Sequence, residues 1–426
     1  MSGDRALRLL SNLILTRLLF PEAFGLMALV FVVIQGLQML SDLGIGPSII
    51  QNERGDDPTF LNTAWTLQIL RGGVIYLSVV ALSIPASWLY AEPRLTYLLP
   101  VVGFTALISG FDSSARHSVN RRLTLGRLTI FDLTAQFAAL VVTIAWALVD
   151  RNVWALVGGA VAAALVRMAM SHFLLPGPKN RFAWDRNAVR EVFHFGKWIF
   201  LSSAISLLAA QADRLILPKL ITFELLGVYS IAYMLSQFPD QIVTSLSGRV
   251  VFPALSQLTH LPRTELRTVV VRNRRPFLLT IAVPLAVLAG FGDVLVRILY
   301  DARYHEAGWM LCLLALGLWP RMLTNTLAPA LLAIGQPRYF AYAAGLRLLW
   351  VCGALPMAYV AFGLWGAVAA VACGAMAEYL IEGYGFWRHG LLCLKQDAVT
   401  TLLWAAALTA ALGIRWAIGW PSPMST

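Results

Sequence analysis

Two stretches of this chain decide its architecture: LILTRLLFPEAFGLMALVF (13–31) and LILPKLITFELLGVYSIAY (215–233), which align without a gap. The offset, Gly25 to Gly227, is 202 residues. Leu13/Leu215, Ile14/Ile216, Leu15/Leu217, Leu18/Leu220, Glu22/Glu224 and Gly25/Gly227 are identical, and Arg17/Lys219 keep their charge. Leu and Ile coincide cheaply in apolar sequence, whereas a Glu and a Gly at fixed spacing do not. Six apolar spans separate the copies, an even number, so both should cross in the same direction, as parallel repeats related by an axis along the membrane normal do. The expected fold is all-α: two six-helix lobes around a central cavity, 1–178 and 197–395. A linker at 179–196 joins them, and a further helix and tail follow at 396–426.

Composition places that fold in a bilayer. The 426 residues are 58% hydrophobic and 13% charged, with a mean hydropathy of +0.70, against about 45–50% apolar and about 25% charged in globular domains. Apolar runs long enough to cross a hydrocarbon core of roughly 30 Å recur throughout. They give about 13 candidate spans, from 6–20 to 398–419, and leave no stretch for a separate soluble domain. With a cytoplasmic N-terminus, 22 Lys and Arg fall on the cytoplasmic side against 6 outside, which the positive-inside rule favours. The expected location is a multi-pass protein of the cell inner membrane. The net charge of +11 is thereby explained without nucleic acid as a partner. Two basic segments rich in apolar residues, 181–198 and 264–277, read as amphipathic helices lying on membrane lipids. The four cysteines have no metal or redox spacing.

The run RLLFPEAFGLMALVFVVIQGLQMLSDLGIGPSIIQNERGDDPTFLNTAW (17–65) resembles the start of bacterial polysaccharide-export flippases of the multidrug/oligosaccharidyl-lipid/polysaccharide exporter superfamily. QADRLILPKLITFELLGVYSIAYMLSQFP (211–239) is similar to that family's mid-chain signature, and VVFPALSQL (250–258) follows it. The resemblance implies transfer of undecaprenyl-pyrophosphate-linked oligosaccharide across the membrane for lipopolysaccharide or exopolysaccharide assembly. It also implies a polysaccharide polymerase and co-polymerase as partners. The alternative within the superfamily is a drug or cation antiporter. An enzyme is not expected, because outer loops such as AEPRL, VDRNV and AFGLW are too short to carry sugar chemistry. Neither a phosphate-loop motif nor a metal-ligand spacing occurs, so no cofactor or metal is expected.

Ionisable residues within spans cost about 2.5–3.5 kcal/mol each on insertion scales, so each needs a partner or a water-filled cavity. Arg214, Arg321, Arg167 and Arg347 are the cations so placed, and a guanidinium fork suits the pyrophosphate that the resemblance implies. The competing expectation is that these arginines form interhelical ion pairs with Asp213, Asp240 or Glu378. Asp42, Asp213 and Asp240 are the carboxylates expected to couple transport to a proton gradient, because desolvation favours their protonated form. Pro320, preceding Arg321, is expected to bend its helix.

Overall fold

The structure is a computed structural model describing residues 2–41, 45, 49, 57–116, 119, 125–174, 180–190 and 208–422. It is helical, with no strand among the described residues. The chain forms two compact units, Met1–Leu207 and Leu208–Thr426. In the first are α1 (Ser2–Leu18), α2 (Pro21–Leu40), α3 (Pro58–Tyr90), α4 (Leu95–Gly110), α5 (Leu125–Val149) and α6 (Val153–Phe173). In the second are α7 (208–216), α8 (Phe223–Leu246), α9 (Arg263–Leu299), α10 (Ala307–Asn325), α11 (Arg338–Arg388) and α12 (Leu394–Ala417).

Among the described residues, eight helices are long and apolar enough to cross a membrane, and Leu9–Leu18 and Leu95–Gly110 are shorter apolar helices. One of the eight, α11, is two crossings. Gly363 interrupts it at φ 61°, ψ −149°, a conformation open in practice only to glycine. A straight helix would hold Arg347 and Glu378 about 46 Å apart; here their side chains are 3.1 Å apart. Trp350 likewise donates to the Ala370 carbonyl at 2.9 Å. The two arms are the expected spans 339–361 and 363–387. Parts of two other expected spans, 24–50 and 197–218, lie outside the described residues.

Helix boundaries keep the sequence offset. α2 begins at Pro21 and α8 at Phe223, 202 residues later, each with its glutamate (Glu22, Glu224) in the first turn, where the helix dipole favours an anion. Gly25 and Gly227 are both buried.

Of the two basic segments, 264–277 is helical but not a separate helix, and 181–185 is not helical. Arg263–Leu299 is one helix of 37 residues, so 264–277 continues into the span instead of lying apart from it. Leu266, Val270 and Arg274 face inward, and their burial against Leu331, Tyr339 and Phe386 selects the continuous helix. In the other segment, residues 181–185 are extended and docked on α3: Arg181, Ala183 and Asp185 donate their backbone N–H groups to the side chains of Asn62 (2.9 Å), Thr66 (3.2 Å) and Thr63 (3.1 Å). Phe182 packs on Trp65 with ring centroids 5.1 Å apart. A helical turn covers 186–190, with Ala188 buried beside Phe60 and Leu61; residues 191–198 lie outside the described residues.

The last helix belongs to the core of the second unit. Arg274 of α9 pairs with Asp397 of α12 at 2.5 Å and also donates to Thr326 and to the Leu323 carbonyl. At the other end of α12, Arg415 grips Asp293 of α9 with both fork nitrogens, at 2.6 and 2.7 Å. Between these pairs Trp319 and Trp404 stack at 5.3 Å.

Candidate functional site

Apart from the Arg274–Asp397 and Arg415–Asp293 pairs, intramembrane charges of the second unit gather where α7, α8, α10 and both arms of α11 meet. Asp240 comes from α8 and Arg321 from α10, joined at 3.2 Å. Glu378, on the second arm of α11, lies 3.9 Å from Arg321 and 3.1 Å from Arg347 on the first arm. Asn325, one turn beyond Arg321, donates to Asp240 at 2.6 Å. One guanidinium is thus shared between two carboxylates, and one carboxylate between two guanidiniums. α10 runs through Pro320 to Asn325, and the helix breaks at Thr326 and Leu327 before the short helix Ala328–Ala333. Beyond Arg321 the hydroxyls of Thr324 and Thr326 bond carbonyls one turn back.

On α7, Asp213 is buried and accepts a hydrogen bond from the hydroxyl of Tyr229. Arg214 bonds Gln211 at 3.1 Å and lies over the ring of Tyr233, 4.6 Å from its centroid, a cation–π contact. Tyr233 and Asp213 lie within electrostatic reach of Arg347, which ties α7 to the rest of the cluster. Glu382, one turn beyond Glu378, completes the group. It is 7% exposed, and its Oε2 has no hydrogen-bond partner.

Three of the four arginines expected from the sequence, Arg214, Arg321 and Arg347, therefore meet in one place with Asp213 and Asp240. Ion pairs between helices, the competing expectation, also form. Arg321 is the least enclosed of the paired arginines buried within spans, with 26% of its side chain exposed against 9% for Arg347. Arg167 is elsewhere, in the first unit, where it lines a cavity of ≈ 310 Å³ with Gln38, Gln68, Arg71, Asp112 and Arg116. Gln68 caps the end of α4 there, donating to the carbonyls of Ser109, Gly110 and Asp112. Asp42 lies outside the described residues.

Sequence reasoning missed Glu382, although AEYLIEGY (377–384) places two glutamates four apart, hence on one helical face. It also missed Asn325 and the tyrosines, whose identities carry no charge signal.

Such a cluster of charges on membrane-spanning helices can bind and release small ions or charged head groups; it has no nucleophile and base arrayed for catalysis. Known proteins place it in context. The lipid II flippase MurJ in an inward closed conformation matches the fold with a TM-score of 0.72 at 13% identity, over 99% of this chain and 92% of that one. A multidrug resistance MATE family transporter of the MOP superfamily, inward-facing, matches with a TM-score of 0.65 at 13% identity, over 93% and 95%. The succinoglycan biosynthesis transport protein ExoT of Rhizobium meliloti (strain 1021) is 22% identical over 358 residues, 83% of this chain and 71% of its own length. The lipopolysaccharide biosynthesis protein WzxC of Escherichia coli (strain K12) is 24% identical over 261 residues, 59% of this chain and 51% of its own length. The relatives are thus transport and biosynthesis proteins that this chain spans by about half to seven tenths, and the solved structures share its all-helical membrane fold. Residues 14–308 match the family described as "Polysaccharide biosynthesis protein", and the chain belongs to it.

Proposed function

We propose that this chain carries undecaprenyl-pyrophosphate-linked oligosaccharide from the cytoplasmic to the periplasmic leaflet of the inner membrane by alternating access, for lipopolysaccharide or exopolysaccharide assembly. The observation that carries the reading is Arg321. It is a guanidinium within a membrane-spanning helix, loosely held and partly exposed, in a chain of the polysaccharide biosynthesis family. A pyrophosphate must cross a medium of low dielectric, and a fork that exchanges a carboxylate for a phosphate moves that charge at little net electrostatic cost. Arg214 and Arg347 support the same anion from α7 and α11, and Arg167 serves in the cavity of the first unit. Asp213 and Asp240 hold the cations in register. The N-terminus is cytoplasmic, 1–178 and 197–395 are copies of one lobe, and a polymerase and co-polymerase take up the product outside.

The test is a deletion strain supplied with plasmid-borne variants. Loss of the chain should abolish surface polysaccharide and accumulate its lipid-linked precursor in the inner leaflet. Wild-type chain restores export, Arg321→Lys restores it in part and Arg321→Ala leaves it lost at equal protein level. Wild-type export from the Ala variant would refute the role of Arg321. Normal surface polysaccharide in the deletion strain, with altered sensitivity to cationic drugs, would favour the antiporter instead.

A further inference from the structure

The charges in the second unit's cluster do not balance. Among the described residues, Arg214, Arg321 and Arg347 face Asp213, Asp240, Glu378 and Glu382, three cations against four carboxylates. A bare carboxylate buried within a membrane-spanning helix is among the costliest states a side chain can occupy. The excess negative charge therefore falls on whichever carboxylate has the weakest claim on a donor. Asp213 has the Tyr229 hydroxyl, Asp240 has Asn325 and Arg321, and Glu378 has Arg347 at 3.1 Å with Arg321 at 3.9 Å. Glu382 has a buried Oε2 with no hydrogen-bond partner, and the hydroxyl of Thr324 is spent on the Arg321 carbonyl. The charges bearing on it are Glu378 on its own arm, which repels a second negative charge, and Arg321 from α10, which Asp240 of α8 also engages. Arg347, on the other arm, is committed to Glu378.

We infer that Glu382 holds a proton in the resting protein, and that its hold tightens when an anionic ligand draws Arg321 away, so that phosphate binding and proton binding are linked at one guanidinium. The second half rests on the reading of Arg321 as the anion contact; the first half stands without it. When a phosphate takes the Arg321 fork, Asp240 keeps Asn325 and Glu378 keeps Arg347, but Glu382 loses its nearest positive charge. Linkage is reciprocal: a ligand that strengthens proton binding is itself bound more tightly when the proton is present. The proton carrier is then Glu382 in place of Asp213, which accepts from Tyr229 on Oδ2, or Asp240, which Arg321 and Asn325 both engage on Oδ1. No covalent step is involved; one proton moves between the Glu382 carboxyl and water.

Two measurements on protein in phosphatidylcholine nanodiscs test this. Infrared spectra near neutral pH should show a protonated carboxyl C=O band that disappears in Glu382→Gln and shifts in Glu382→Asp. Identical carboxyl bands in wild type and Glu382→Gln would mean Glu382 is ionised and would overturn the inference. Inorganic pyrophosphate, which itself titrates in this range, is bound to wild type and Glu382→Gln side by side from about pH 6 to about pH 8. The ratio of wild-type to Gln affinity should fall as pH rises, by at most about tenfold per pH unit for one linked proton. A ratio that does not change with pH would overturn the coupling. Absence of any pyrophosphate binding would also overturn the coupling, and would count separately against Arg321 as the substrate contact. Because the infrared result needs no ligand, failure of the proton seat and failure of the transport reading are read apart.

Discussion

The second unit contains two kinds of buried ion pair, and the contrast between them separates scaffold from site. Arg274–Asp397 and Arg415–Asp293 are one-to-one, 2.5 and 2.6 Å long, with side chains at most 5% exposed. Their arginines also spend remaining donors on carbonyls, Arg274 on Leu323 and Arg415 on Gly290. Arg321 is instead shared between two carboxylates at 3.2 and 3.9 Å, with a quarter of its side chain open. A saturated pair has no capacity for a ligand and only fixes α12 on α9. An under-committed guanidinium can change partners without leaving a bare charge behind. Position within a span does not make the distinction, since all these arginines sit in spanning helices; the partner count does.

The largest effect that would sharpen this contrast lies in the closed pairs. Asp293→Ala or Asp397→Ala leaves a buried guanidinium without its anion and should cost about 3–5 kcal/mol of stability, seen as a sharp loss of folded protein in detergent thermal unfolding. Replacing both partners, as in Arg274→Met with Asp397→Leu, should recover most of that loss, because an apolar pair of similar volume avoids desolvating two charges. Equal damage from the single and double changes would break the comparison.

Arg321→Ala should invert the pattern, with export lost while thermal stability falls by less than in Asp397→Ala. Asp240 and Glu378 each retain a second partner after that change. A collapse of folding comparable to Asp397→Ala would make Arg321 another scaffold pair.

A smaller effect concerns topology. In a cysteine-less background, cysteines at exposed positions 186 and 268 should resist an impermeant reagent in intact spheroplasts and react after lysis. Labelling from outside at either position would reverse the proposed orientation.

The smallest effect is expected outside the spans. Arg94, in the turn between α3 and α4, bridges Glu92 and Glu22 with its side chain 47% exposed. Such a pair contributes up to about 1 kcal/mol. The hydrogen bond from Arg94 holds the Glu92 carboxyl below its ordinary range. Its contribution is therefore fully present above the unfolded carboxylate pKa and is lost as pH falls through the lower folded value. Arg94→Gln should therefore lower neutral stability by up to about 1 kcal/mol, leave stability below the folded pKa of Glu92 unchanged and so flatten the acid limb of the profile; a neutral loss like that of Asp397→Ala would show the pair to be buried in effect.

Hydropathy made the helical class and most spans legible, because about 20 apolar residues in a row have few other uses. The helix starts at Pro21 and Phe223 were legible through Glu22/Glu224 and Gly25/Gly227. Arg274 was not: counted by charge density it belongs to a basic loop, and only the inward face of Leu266 and Val270 extends the helix past it. Glu382 was overlooked because a lone span glutamate invites a search for a cation, and its significance lies in having too little of one. Arg321 and Arg347 were found because arginine has no way to shed its charge. Their shared partner, Glu378, depends on the reversal at Gly363, where the expected spans 339–361 and 363–387 divide; the pairing across it is not written in local composition.

The strap at 181–185 has a consequence for how this chain can change over evolutionary time. Its hydrogen bonds to α3 run from main-chain N–H groups to the side chains of Asn62, Thr63 and Thr66, so for these three bonds the address is written in the helix. Residues 181 and 183 can drift through many side chains but not proline, which has no N–H to donate, whereas Phe182 packs on Trp65 and Asp185 accepts from the Asn187 N–H. Comparison of distant relatives should therefore find a strap variable at 181 and 183 opposite a constant N-x-x-x-like polar face on α3, and a reader of the strap alone would take for a free linker what is a fixed attachment.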